Sequence, residues 1–210
     1  MCGIAGYIGS GDAVSHLLEG LRALEYRGYD SAGVAVMDGQ RRVHVVKTKG
    51  RLRALEARLE KCPVHGRCGI GHTRWATHGA PSDVNAHPHG TDKLYVVHNG
   101  IIENDRELRA ELTARGYDFL SETDTEAAAC LLDSAYAETG DPVAALRRAA
   151  ERLRGSYALG VIFLDHPDEL YAMREGNPLI VAEGKDGCML ASDIPAVLRF
   201  ARDCYVLEDG

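Results

Sequence analysis

The residue with the clearest chemical potential is Cys2, which directly follows the initiator Met1. If Met1 is removed, Cys2 carries a thiol and a free α-amine, whose ordinary pKa values are about 8.5 and about 7.7–8.0. The amine can then accept the thiol proton and deliver it to a leaving group, as in N-terminal nucleophiles. The same stretch is also an ordinary start of a strand, in which a cysteine is only a small buried side chain.

Five further clusters of polar residues lie at the ends of predicted strands or in a loop. They occupy residues 27–31, 72–78, 85–89, 98–100 and 122–125. Taken singly, each cluster is a weak signal, because a polar residue at a strand end is usually solvated. Together with Cys2 they could line one cleft, which is where substrates usually bind.

The composition is that of an ordinary globular protein, with 210 residues, 45% hydrophobic and 26% charged. The net charge of −7 and the absence of a basic run do not favour binding to nucleic acid or to an anionic membrane. No stretch approaches the ~18 apolar residues of a membrane span, and no secretion signal is present. We therefore expect a cytoplasmic protein whose six cysteines are mostly free thiols.

One group of residues could bind a metal. Cys62, His65, Cys68 and His72 have spacings compatible with a zinc site. Structural zinc sites usually contain a repeated pair of closely spaced ligands, which this stretch lacks. We favour no metal, although a zinc-binding interaction module stays open as a non-enzymatic alternative.

The hydrophobic pattern predicts strands and helices along the whole chain. Strands are expected at residues 2–8, 31–37, 41–48, from 68 onward, 94–98, 156–165, 169–174, 179–183, 188–192 and 204–207. Helices are expected after Asp12, at 52–62, 104–115, 123–138, 141–155 and 194–201. Residues 77–90 lack periodicity and are predicted to form a loop.

Two local motifs refine this pattern. Thr123 and Glu126 have the spacing of a capping box at the start of the fourth helix. Asn99 and Gly100 resemble a hairpin turn, except that two isoleucines follow them. Since the helices cluster and tight turns join the strands, the sheets should be mostly antiparallel, in a single α+β domain.

Six blocks of sequence resemble a known family when read in order. They are residues 2–4, 24–33, 71–79, 85–89, 97–104 and 121–126, and the likeness runs from residue 2 to about residue 209. They resemble class II glutamine amidotransferases, in particular the glutaminase domain of the glutamine:fructose-6-phosphate aminotransferases (isomerising). Other class II amidotransferases share the Cys-Gly-Ile start and are the alternatives.

The resemblance implies a four-layer αββα N-terminal-nucleophile hydrolase fold, with two mostly antiparallel sheets and Cys2 at the start of a central strand. It implies that the Cys2 thiolate attacks the side-chain amide of L-glutamine, releasing ammonia and then glutamate through a γ-glutamyl thioester. No cofactor and no metal are implied. In the full enzyme, ammonia would aminate fructose 6-phosphate to glucosamine 6-phosphate.

The same resemblance bears on the extent and the partners of the chain. Residues 1–210 are expected to form a glutaminase domain that lacks the C-terminal sugar-phosphate isomerase domains. The full enzyme is expected to be a homo-oligomer, with those domains on the same polypeptide as partners.

The resemblance also assigns roles near the reacting amide. Asn99, through its side-chain amide, and Gly100, through its backbone N–H, would form the oxyanion hole, and Arg27 would position Cys2. Oxyanion donors are typically worth about 2.7–4 kcal/mol each.

Further residues would hold the rest of glutamine. Arg74 would bind its α-carboxylate and Asp124 its α-ammonium, although a carboxylate there could instead serve the helix dipole. Thr77 and His78 would line the pocket, and Trp75 would gate the loop over it, although a lone tryptophan is more often in the core. The resemblance places His87 and His89 at inter-domain contacts; solvated loop histidines are the alternative.

Overall fold

The computed structural model describes residues 2–76 and 78–210, which form eleven strands and five α-helices. The strands are β1 (Gly3–Gly9), β2 (Ser31–Met37), β3 (Val43–Lys49), β4 (Cys68–Arg74), β5 (His89–Gly90), β6 (Leu94–Ile102), β7 (Gly155–Phe163), β8 (Tyr171–Glu175), β9 (Ile180–Gly184), β10 (Gly187–Ala191) and β11 (Cys204–Val206). The helices are α1 (Ala13–Leu24), α2 (Leu52–Lys61), α3 (Asp105–Ala114), α4 (Asp124–Thr139) and α5 (Pro142–Ala150).

The strands form two sheets. The larger has the order β11-β9-β10-β1-β4-β2-β3, and the smaller has the order β5-β6-β7-β8. Every ladder between these strands is antiparallel. The first strand of the chain therefore lies in the middle of the larger sheet, as the family resemblance implies.

The alternation of side chains along β1 builds the layers. Ile4 packs into the cluster between the two sheets, whereas Ala5 and Tyr7 pack toward α1 and α2 on the outer face. The helices α3, α4 and α5 cover the outer face of the smaller sheet in a third cluster. The result is the predicted αββα sandwich, and a one-residue slip of β1 would exchange its two buried faces.

Local sequence explains how the helices begin and which faces they bury. The Asp12 side chain caps α1 by accepting from the backbone N–H of Ser15 at 3.1 Å. The apolar face of α1 is completely buried against the larger sheet, through Leu17, Leu21 and Leu24. By contrast, α4 is buried on all sides over its first thirteen residues, because it lies between the smaller sheet and the other two helices.

The capping box predicted for α4 is wrong. Thr123 precedes the helix, but its side chain makes no capping hydrogen bond. The Glu126 carboxylate instead accepts from the backbone N–H groups of Leu120 at 2.9 Å and Ser121 at 2.7 Å. Glu126 thus orders the segment before the helix, while Thr123 bonds His89.

Two other expectations are corrected. The strand predicted at 94–98 is longer than expected, because β6 continues through Asn99 and Gly100 to Ile102 and pairs along its length with β7. The predicted helix at 194–201 is reduced to a single 3-10 turn over Ile194–Ala196. The loop after β4 contains one short strand, β5, but is otherwise irregular as predicted. Within the described residues, no helix is long and apolar enough to cross a membrane.

Candidate active site

Cys2 lies where the ends of three neighbouring strands of the larger sheet, β1, β4 and β2, meet. Gly3 pairs with Thr73 on β4, so Cys2 lies one residue beyond this pair, beside Arg74. Ser31 at the start of β2 pairs with Arg74 from the other side. The register of the sheet therefore brings Cys2 together with residues of the predicted polar clusters at 27–31 and 72–78.

Cys2 is partly buried and is held by backbone groups of the neighbouring loop. The Trp75 backbone N–H donates to Cys2 Sγ at 3.2 Å, and the thiol lies 3.5 Å from the Trp75 carbonyl oxygen. Burial raises the pKa of the Cys2 thiol, and this effect exceeds the opposing effects of the Trp75 N–H and the Arg74 charge. The thiol therefore needs a proton acceptor to become a nucleophile.

Asn99 comes from the second sheet and contacts the residue that carries the thiol. Its Nδ2 donates to the Cys2 carbonyl oxygen at 3.0 Å, and its Oδ1 lies 3.0 Å from Nε2 of His72 on β4. Both side chains are buried. Because side chains alternate along β6, Asn99 faces the space between the sheets while His98 faces α4.

Four buried histidines lie behind Cys2 and Asn99: His72, His87, His89 and His98. The rings of His72 and His87 stack with centroids 4.1 Å apart. Thr125 Oγ1 joins His87 Nε2 at 3.1 Å to His98 Nδ1 at 2.9 Å. Burial lowers the pKa of all four rings, that of His72 to about 3, so they are neutral near pH 7.

The burial of this cluster corrects an expectation. His87 and His89 are neither solvated loop residues nor available for contacts with another domain, since each is at most 5% exposed. His89 Nε2 lies 2.9 Å from Thr123 Oγ1. The loop that contains them is thus anchored in the interior, which its lack of periodicity does not reveal.

Asp124 is the first residue of α4 and is buried beside β6. Its Oδ2 accepts from the backbone N–H of Ile102 at 2.9 Å, and its Oδ1 lies 3.7 Å from His98 Nδ1. A carboxylate at this end of a helix also interacts favourably with the helix dipole. The helix-dipole interpretation of Asp124 thus fits its position, and the second carboxylate oxygen retains capacity for a cationic ligand group.

Arg74 ends β4 and supports the loop that follows it. Its Nη2 donates to the carbonyl oxygens of His78 and Gly79, the latter at 3.0 Å. Its Nη1 is buried and has no hydrogen-bond partner among the described residues. Gly28 packs so closely that a Cβ would lie 2.8 Å from the Arg74 carbonyl carbon, which only glycine permits.

The loop after Arg74 is held by Asp30, whose Oδ2 accepts from the backbone N–H of Ala76. The Trp75 side chain is 47% exposed and makes an edge contact with Tyr29 at 5.2 Å, so it is not a core residue. His78 is partly buried. Thr77, which the resemblance assigns to the pocket, lies outside the described residues, as does Met1.

Arg27 is buried and supports the strand that follows Cys2. Its Nη1 donates to Asp193 Oδ2 at 2.7 Å and to the Ser192 carbonyl oxygen at 3.3 Å. Ser192 Oγ in turn accepts from the backbone N–H of Ile4 at 3.0 Å. Arg27 thus braces the segment beside β1 at a distance of two residues from Cys2.

Gly100 follows Asn99 in β6 and has a φ of 120°, which strongly favours glycine. A Cβ at this position would lie 2.0 Å from the Ser156 carbonyl oxygen. The glycine therefore allows β6 to keep pairing with β7 beside the site. Any larger residue would have to displace the backbone next to Asn99.

Sequence reasoning assigned no role to several residues that the structure brings into the site. Asp30, His72, His98 and Thr125 all lie within the polar clusters, but only contacts between residues distant in sequence show what they bind. The signal was their position at strand ends, next to residues that were assigned. Their partners are far away in sequence and could not be paired from spacing.

The candidate zinc ligands do not support a metal site. Cys62 and His65 are exposed, whereas Cys68 packs between the sheets and His72 bonds Asn99. In the described part of the chain, no three His, Cys, Asp or Glu residues are grouped so that they could hold a metal ion. The zinc-binding module is not favoured.

Comparison with known proteins gives concordant results. A family model described as a glutamine amidotransferase domain matches residues 72–199. The glutamine–fructose-6-phosphate aminotransferase (isomerizing) of Clostridium perfringens is 54% identical over the whole chain, and that of Thermus thermophilus is 51% identical. The chain covers 34% of the length of each of these relatives.

Solved structures show the same fold. The glutamine phosphoribosylpyrophosphate amidotransferase of B. subtilis superposes with a TM-score of 0.80 at 26% identity, over 93% of this chain and 43% of that one. A glutamine aminotransferase class-II domain protein from Silicibacter pomeroyi gives 0.67 at 19% identity, covering 100% and 92%. The fold is that of the N-terminal-nucleophile class II amidotransferases. The chain belongs to the glutamine amidotransferase domain family.

Proposed function

We propose that this domain hydrolyses L-glutamine to L-glutamate and ammonia, with Cys2 as the nucleophile. The observation that carries the proposal is the convergence of Cys2, Asn99 and Arg74 from two sheets. These groups supply a thiol, an amide donor and a cation beside one another. That set suits an amide substrate that also carries a carboxylate.

The first chemical step is attack of the Cys2 thiolate on the carboxamide carbon of glutamine. As the tetrahedral intermediate forms, its oxyanion accepts from Asn99 Nδ2, which has a second N–H besides the one bonded to the Cys2 carbonyl oxygen, and from the Gly100 N–H. Collapse of the intermediate expels ammonia and leaves a γ-glutamyl thioester. Water then hydrolyses the thioester to glutamate and the free thiol.

The proton acceptor in this scheme is the α-amine of Cys2 after removal of Met1. Burial raises the pKa of the thiol, so a base is needed. Among the described residues, the hydrogen-bond partners of Cys2 Sγ are the backbone groups of Trp75, and no histidine ring bonds it. The amine accepts the thiol proton and later donates it to the departing ammonia.

The remaining assigned residues would bind the amino-acid end of glutamine. Arg74 has a buried Nη1 that can pair with the α-carboxylate, and Asp124 can accept from the α-ammonium. His78 and Thr77 would line the pocket, Trp75 would gate it, and Arg27 would position the strand that starts at Cys2.

In the full-length protein, we propose that the ammonia aminates fructose 6-phosphate to give glucosamine 6-phosphate. The support is the whole-chain similarity to glutamine–fructose-6-phosphate aminotransferases, of which this chain spans about a third. C-terminal isomerase domains would then be the partners, in a cytoplasmic homo-oligomer. The domain alone is expected to yield no glucosamine 6-phosphate.

The decisive experiment compares the wild type with Cys2→Ala. Removal of Met1 is first verified by mass spectrometry, and glutamate release is then measured. Cys2→Ala should abolish release, whereas Cys62→Ser, a change at an exposed thiol, should not. Failure of the processed wild type to release glutamate would refute the proposal, as would full activity of Cys2→Ala.

A further inference from the structure

We propose that His72 is a positioning residue, which holds the Asn99 side-chain amide with its NH₂ group on the side of Cys2. This inference rests on the proposed role of Asn99 as an oxyanion donor. His72 itself touches neither the nucleophile nor the reacting atoms. It acts through the buried hydrogen bond between its Nε2 and Asn99 Oδ1, which is 3.0 Å long.

An asparagine side chain carries an NH₂ group, which donates, and a carbonyl oxygen, which accepts. Only the NH₂ group can stabilise an oxyanion. If the Asn99 amide were rotated by half a turn, its Oδ1 would face the Cys2 carbonyl oxygen and the developing negative charge. Asn99 Oδ1 can only accept, so His72 must donate from Nε2 and carry its proton there. A donor fixed at this position therefore selects the productive orientation of the amide.

The His72 ring is itself prevented from moving. His72 lies in the middle of the larger sheet, where its backbone pairs with Ile4 of β1 and Gly33 of β2. Its side chain is fully buried and stacks on His87 with ring planes 23° apart. The ring that donates the hydrogen bond to Asn99 is therefore held rigidly.

The same framework continues to the other end of the proposed substrate site. Thr125 holds both His87 and His98, and His98 Nδ1 lies 3.7 Å from Asp124 Oδ1. One connected group of buried side chains thus contacts both Asn99 and Asp124. These buried, neutral rings therefore fix the distance between Asn99, the proposed oxyanion donor, and Asp124, the proposed ammonium site.

A role for His72 as the general base is not supported. Its Nε2 is directed at Asn99 Oδ1 and not at the Cys2 thiol, and its Nδ1 is buried. The nitrogen that faces the site is Nε2, which carries the proton and donates it to the hydrogen bond with Asn99. His72 therefore orients a donor and does not exchange a proton with Cys2.

The test is a double-mutant cycle with His72→Leu and Asn99→Ala, measured as kcat and KM for glutamine in the processed domain. His72→Leu should lower kcat by about ten- to a hundredfold, since a correctly oriented oxyanion donor contributes a factor of about 10²–10³. Its KM should stay within about threefold of wild type. In the Asn99→Ala background, the same change should have almost no further effect on kcat.

His72→Gln keeps an N–H donor on a side chain of similar reach and should recover part of the kcat that His72→Leu loses. His44→Leu, at a histidine far from the site on β3, is the matched control. Circular dichroism and thermal melts show whether each variant folds. If His72→Leu does not fold, His72→Gln replaces it in the double-mutant cycle. An unchanged kcat in His72→Leu, or additive losses of kcat in the double mutant, would overturn the inference. The proposed function is tested separately, by the release of glutamate from the wild type.

Discussion

The candidate site has two walls that are built in different ways. The strand wall, Cys2, His72 and Asn99, is carried by paired strands and is joined by hydrogen bonds of the Asn99 side chain to His72 and to the Cys2 carbonyl oxygen. The loop wall, residues 75, 76, 78 and 79, is joined mainly through backbone groups, which bond Cys2 Sγ, Asp30 and Arg74. Sheet register fixes the strand wall, whereas the conformation of one irregular segment fixes the loop wall.

Because the two walls are built differently, we expect them to control different kinetic constants. A side chain aimed by sheet register can stabilise charge that develops in the transition state, because it needs no reorganisation at that moment. A loop held by a few hydrogen bonds can rearrange when an amino-acid ligand competes for them. We therefore expect changes in the strand wall to lower kcat and changes in the loop wall to raise KM.

The largest effect is expected for Asn99→Asp. The substitution preserves size and leaves an acceptor for His72, but it replaces the donor with a carboxylate beside the developing oxyanion. We expect kcat to fall by at least about 10²–10³, with KM within a few-fold of wild type. Steady-state glutaminase assays measure both constants. A kcat within tenfold of wild type would remove Asn99 from the oxyanion hole.

A smaller effect, on KM, is expected for Arg74→Lys. Arg74 can hold the loop carbonyl oxygens through Nη2 while Nη1 pairs with a carboxylate, and a lysine ammonium cannot span both sets. Losing a hydrogen bond to a charged group costs about 1.5–3 kcal/mol, so KM should rise at least about tenfold.

The control for this change is Arg53→Lys, at an exposed position on α2. It should leave KM unaltered. If Arg74→Lys instead lowers kcat while KM stays constant, the proposed division between the two walls fails at this residue.

The order of the elements followed from sequence, because it depends on local periodicity. β2 begins and ends where the pattern predicts, and Asp12 caps α1 as expected. The errors lie where a distant partner decides. Glu126 orders the preceding segment instead of forming a capping box, and the pairing with β7 keeps Asn99 and Gly100 in a strand.

The site shows the same limit. Cys2 could be proposed as a nucleophile from its own chemistry, since removal of Met1 would leave an amine base beside its thiol. The contact of His72 with Asn99 joins the two sheets, and the buried His87 bonds Thr125 on α4. Spacing along the chain carries no information on such contacts, so these histidines resembled ordinary loop and strand-end residues.

The buried histidines behind the strand wall predict lower stability in acid. Their pKa values in the folded state lie below the ordinary 6.5, so the unfolded chain binds more protons as the pH falls. The free energy of unfolding should be fully developed above about pH 6.5 and should fall as the pH decreases below it. Each such group contributes up to about 1.4 kcal/mol per pH unit.

His89→Gln removes one of these groups while keeping a partner for Thr123. Urea unfolding between pH 6.5 and 5 should then show a shallower loss of stability than in the wild type. His65→Gln, at an exposed histidine, should retain the wild-type slope. Equal slopes for His89→Gln and wild type would mean that His89 binds a proton as readily in the folded protein as in the unfolded chain, so that its pKa is not lowered by folding.

The smallest expected effect tests how the loop wall acts on the nucleophile. The negative charge of Asp30 raises the pKa of the Cys2 thiol, in addition to the larger effect of burial. Asp30→Asn removes that charge and leaves an oxygen that can accept from the Ala76 N–H. The pKa of Cys2 should therefore fall, and the thiolate should form at lower pH than in the wild type.

The rate of alkylation of Cys2 by iodoacetamide, followed by mass spectrometry against pH, measures this shift. Both proteins must have the same N-terminus, and the exposed Cys62 in the same sample provides an internal reference. A shift to lower pH at Cys2 with no shift at Cys62 assigns the effect to Asp30. A shift to higher pH would show that loss of the Trp75 N–H bond, through loosening of the loop, outweighs loss of the charge, because that bond lowers the pKa of Cys2.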